Sequence, residues 1–110
     1  MSEVFREITV KWDGEEYTIV PSMALLKRVK ALGINNLTLA KDCLHGGADP
    51  IDMAMVHRIF MKEAGVTVSE EQSYGFIMGG TPEVVEFQVA YVSAVLPAVD
   101  LGKKPAAPSE

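Results

Sequence analysis

The chain has 110 residues with a net charge of −5; 48% of its residues are hydrophobic and 23% charged, so its length suits one folded domain and not two. The ten basic residues are scattered without a stripe, which argues against a protein that tracks nucleic-acid phosphates. A lone cysteine, Cys43, excludes an internal disulfide and gives no zinc-ligand pair; with no leader-like opening and no apolar run near the roughly 18 residues of a membrane span, a reducing cytosolic setting without a membrane partner is expected.

The first element reads as a β-hairpin. Asp13-Gly14 is a two-residue turn signal between the alternating runs REITVKW and EEYTIVP. That turn sets Ile8 opposite Ile19, Val10 opposite Tyr17 and Lys11 opposite Glu16. Ile8, Val10, Tyr17 and Ile19 form a dry face, and Thr9, Thr18 and the Lys11–Glu16 pair a wet one. An isolated hairpin is marginal in water, so the dry face must pack on helices, with Leu25, Leu26 or Val29 as expected neighbours.

From Ser22 onward the punctuation is helical. Ser22 can cap SMALLKRVKAL, which stops at Gly33. Asn35 or Asn36 opens LTLAKDCLH, which ends at Gly46-Gly47. Asp49-Pro50 pairs an N-cap with proline at the first helical position, and that helix runs to Ala64. Ser69 with Gln72 forms a capping box for a short helix ended by Gly79-Gly80. Thr81-Pro82 repeats the cap-then-proline signal and opens a last helix that Pro97 stops. Val85, Phe87, Val89 and Tyr91 also alternate like a strand, but the Thr81-Pro82 start and the 15-residue length favour helix. The expected fold is α+β: an N-terminal hairpin and a bundle of four to five helices. Residues 1–98 form one domain, and 99–110, rich in proline and alanine, a loose tail.

The last helix carries the functional signal. Wound at about 100° per residue, its valines, Phe87, Tyr91 and Leu96 cover an apolar arc of about 200°, against little more than 100° for an ordinary surface helix. Another protein chain is the expected cover for the surplus. Phe87 and Tyr91, four residues apart, are assigned to the partner-binding side, with Val85, Val89, Val92 and Leu96 holding the helix to its core. Met53, Met55 and Met61 on the third helix admit two readings: a central core helix, or a soft binding surface of the kind methionine provides.

No catalytic or metal constellation competes. Cys43 and His45 are two apart, so on a helix they point to different sides and cannot share a metal. A structural role for Cys43, a surface cap role for His45 and a packed or partly exposed His57 are expected. The loop GGADPIDM offers only Asp49 and Asp52 where a calcium loop needs alternating oxygen ligands and a closing glutamate. The glycine pairs lack the lysine and hydroxyl of a phosphate loop. No cofactor, metal or enzymatic activity is expected.

ITVKWDGEEYTI, LLKRVKALG, DPIDMAMVHRIFMKEAGVTVSEEQ and the apolar helix after Thr81-Pro82 carry a resemblance. From Phe5 to Ala98 the chain resembles the small tail assembly chaperones of long-tailed bacteriophages and gene transfer agents. The resemblance implies a non-enzymatic protein of the host bacterial cytoplasm that binds the tape-measure protein, helps recruit tail-tube subunits, and is absent from the finished virion. It also implies a longer frameshifted form; Gly102-Lys103-Lys104 can be encoded by a slippery run of adenines. Self-association through the same apolar surface is a further expectation. The rival reading is a structural phage subunit, such as a head–tail connector or tail-completion protein. A small host enzyme or regulator ranks below both.

Overall fold

In the computed structural model, which describes residues 5–96, β1 (Ile8–Trp12) and β2 (Glu15–Ile19) form a two-stranded antiparallel sheet. The register pairs Ile8 with Ile19, Val10 with Tyr17 and Lys11 with Glu16, as the turn requires. Asp13 and Gly14 both have positive φ, 53° and 81°, which two-residue hairpin turns of this twist demand and which glycine adopts without steric cost. Ile8, Val10 and Ile19 are buried and Tyr17 is partly buried, so the dry face lies where the alternation puts it.

Five helices follow: α1 (Met23–Lys30), α2 (Asn36–Leu44), α3 (Pro50–Glu63), α4 (Glu70–Met78) and α5 (Pro82–Val95). The fold is α+β. Most starts are held by the expected side chains. The Leu25 N–H donates to Ser22 Oγ (3.1 Å), the Thr38 N–H to Asn35 Oδ1 (2.9 Å) and the Ile51 N–H to Asp49 Oδ1 (2.8 Å). Ser69 and Gln72 close a full capping box. Thr81 is the exception: α5 starts beside it, but its side chain makes no capping bond. Proline at the first turn already removes one of the orphan N–H donors there.

The core lies between the hairpin and the helices. β1 packs mainly on α5, α3 on α4, and α5 on α2; α1 closes on α3. Leu25 and Val29 are buried in the same apolar cluster as the hairpin face, although the hairpin's foremost partner is α5 rather than α1. Lys11, expected against Glu16 across the hairpin, forms its ion pair with Glu86 on α5 (3.2 Å). This exposed link and the one between Arg28 and Glu63 (3.1 Å) tie elements together with modest energy.

The strand reading of residues 85–91 is excluded, since they lie inside α5. The expected stop at Pro97, the domain boundary at 98 and the tail from 99 lie outside the described residues. Among the described residues no helix is long and apolar enough to cross a membrane.

Candidate functional site

The orientation of α5 reverses the expectation from its sequence. Phe87 is 3% exposed and Tyr91 fully buried, whereas Val85 and Val89 are 58% and 60% exposed. Val84, Phe87, Tyr91 and Ala94, with Ala90, form the inward stripe. The physical reason is size and partners. An aromatic ring buries far more apolar area than a valine and gains further from edge-to-face contacts. Phe87 meets Phe60 and His57 edge-on at centroid distances of 5.8 and 5.0 Å, and Tyr91 meets Phe60 at 5.8 Å. The Tyr91 hydroxyl donates to Asn36 Oδ1 (2.8 Å), and Asn36 Nδ2 donates to the Leu26 carbonyl (3.0 Å), which ties α5 to α2 and α1. Burial of the ring raises the Tyr91 pKa.

The methionines divide. Met53 and Met61 are fully buried, so for them the central-core reading holds. Met55 is half-buried and reaches the surface. Of the five residues assigned to partner binding, only Met55 has a side chain at an accessible surface.

His57 is a strongly perturbed polar group of the core. It is 1% exposed, stacked on Phe76 (4.5 Å) and packed on Trp12 (5.2 Å). Its Nδ1 shares a 2.8 Å hydrogen bond with Ser73 Oγ, while Nε2 is buried without a partner among the described residues. Desolvation pushes its pKa down to about 4, so the ring is neutral at physiological pH. A serine and a histidine at this distance have the spacing of a nucleophile and its base. Here Ser73 is fully buried under the aromatic cluster, so no substrate can reach it, and the pair forms a polar link between α3 and α4 that leaves Nε2 unpaired among the described residues. Trp12, which the alternation of β1 places beside Val10 on the dry face, was not assigned a role in the sequence; it completes this cluster.

Cys43 is half-buried, with Sγ 3.5 Å from Met53 Sδ. Desolvation, with a smaller effect from Asp42, pushes its thiol up to about 11, which makes it a poor nucleophile near neutral pH. His45 is exposed and serves as the C-cap of α2 through its backbone N–H. Asp49 is spent on capping α3. Among the described residues no group of three or more His, Cys, Asp and Glu side chains is placed to hold a metal ion.

Among the described residues, two hollows with apolar linings face solvent. The first lies between α2 and α5, a hollow of about 170 Å³ lined by Cys43, Leu44, Val85, Gln88, Val89, Val92 and Ser93. Leu44 at its edge is 62% exposed, and it carries no charged side chain. The second is a groove of about 400 Å³ between α3 and α4, lined by Ile51, Ala54, Met55, Glu70, Glu71, Tyr74 and Gly75. Burying such side chains against a partner yields roughly 25 cal/mol for each Å² of apolar surface removed from water. The α2–α5 face is the surplus that the sequence pointed to, turned to the other side of the helix.

No protein-family model, curated protein or solved structure matches the chain.

Proposed function

We propose that the protein is a non-enzymatic tail assembly chaperone of a long-tailed bacteriophage. On this reading it binds the tape-measure protein through exposed apolar faces and helps bring tail-tube subunits to it. The carrying observation is the outer face of α5: Leu44, Val85 and Val89 stand exposed on a body whose net charge of −5 favours solubility. The resemblance over Phe5 to Ala98 supplies the phage context, and the hairpin-plus-five-helix architecture fits it.

A tape-measure protein is long and helical, with apolar faces to be covered before assembly. Contacts that are weak one by one gain strength along such a partner where the bound copies also touch one another, because the second contact is then made at a raised effective concentration. The test is to express the tape-measure protein with and without this chain and to follow both into purified virions. The proposal expects soluble tape-measure protein only in co-expression, and virions free of the chaperone. Stoichiometric retention in virions would instead assign it to a permanent connector or completion subunit.

A further inference from the structure

The α3–α4 groove differs from the α2–α5 face in its charge and in its floor. Ile51 (61% exposed) and Tyr74 (41% exposed) flank it, Met55 lines it, and Glu70 and Glu71 carry two carboxylates to its edge. No lysine or arginine lines it, and neither glutamate has an ion pair among the described residues. The floor includes Gly75, in the middle of α4. A glycine there weakens the helix, and this one needs no special backbone angle. A Cβ built on it meets nothing within 4 Å, so packing within the chain does not account for the missing side chain. What the glycine leaves is room for the backbone of something else to come close.

We infer that this groove docks a helical segment of a protein partner whose apolar face is flanked by lysine or arginine. A groove walled by two packed helices suits an amphipathic helix laid along it. The unpaired carboxylates select a cationic flank and disfavour an anionic one such as a phospholipid headgroup layer. Gly75 lets the docked backbone approach α4, and methionine and tyrosine supply the adaptable and the amphipathic contacts common at such sites. The inference concerns the groove and stands apart from the identity of the phage partner.

The test uses the full chain and two synthetic helical peptides that share one leucine face, one flanked by lysines and the other by glutamates, followed by fluorescence anisotropy. The lysine-flanked peptide should bind saturably, with a Kd on the order of 10–100 µM. The glutamate-flanked peptide should bind at least about tenfold more weakly. Gly75→Gln, which replaces glycine by a better helix former, should weaken the lysine-flanked peptide about tenfold by filling the floor. Glu70→Lys with Glu71→Lys should reverse the preference between the peptides, and this pair decides the matter should the bulkier side chain disturb α4. Met23→Ser, at an exposed position of α1 that lines neither apolar hollow, should change nothing. Absence of saturable binding, equal affinity for the two peptides, or binding indifferent to the groove variants would overturn the inference, the last by showing only general attraction to an acidic protein.

Discussion

His57 shows how one buried polar residue sets the acid limit of this fold. Its pKa is lowered from 6.5 to about 4 by burial, so between those values the unfolded chain binds a proton that the folded chain refuses. Stability is therefore full above about pH 6.5 and falls as the pH drops toward 4, by about 3 kcal/mol in all from this residue. Replacing the polar pair together, His57→Phe with Ser73→Ala, should flatten that part of the curve while leaving neutral-pH stability close to unchanged. Urea titrations of both proteins across this range check it; parallel curves would show that His57 is not the titrating group. Phe87 belongs to the same cluster, and Phe87→Ala should cost about 3–5 kcal/mol, enough to unfold a marginally stable domain. Thermal melts should show that loss; an intact melt would mean that the ring is not part of the core.

At the scale of elements, the capping chemistry separates two helices that each open on a hydroxyl residue. Ser69 bonds the Gln72 N–H (3.0 Å), whereas the Thr81 side chain makes no such bond. Ser69→Ala should therefore lose about 1 kcal/mol, and Thr81→Ala only a few tenths. Equal losses in urea denaturation would contradict the distinction. Local chemistry also explains what could be read from sequence. Asp13-Gly14 dictates its turn and hence the strand register, and Asp49-Pro50 and the Ser69–Gln72 box dictate their helix starts wherever they occur. The rotation of α5 is not local. When valines and aromatics surround a helix, the pattern does not say which side faces inward; that depends on Phe60, His57 and Asn36, brought there by the tertiary fold. Ala90 and Ala94 were the available signal, because with Val84, Phe87 and Tyr91 they complete a narrow stripe that excludes Val85 and Val89. Met53 and Met61 were buried for a similar reason: α3 packs on both α1 and α4, so little of its circumference is left free.

For the whole molecule, the division of labour on α5 carries the functional account. Its aromatic side holds the fold together, and its valine side, with Leu44 of α2, is free to meet a partner. The two sides can be tested independently, since changes at exposed valines should alter stability by no more than about 0.5 kcal/mol. The most direct measurement is capture of the co-expressed tape-measure protein by tagged wild-type chain and by the Val85→Ser, Val89→Ser double variant, with circular dichroism as the folding control. The account predicts capture by the wild type and at least about tenfold weaker capture by a fully folded double variant. Full capture by that variant, or none by the wild type, would contradict it.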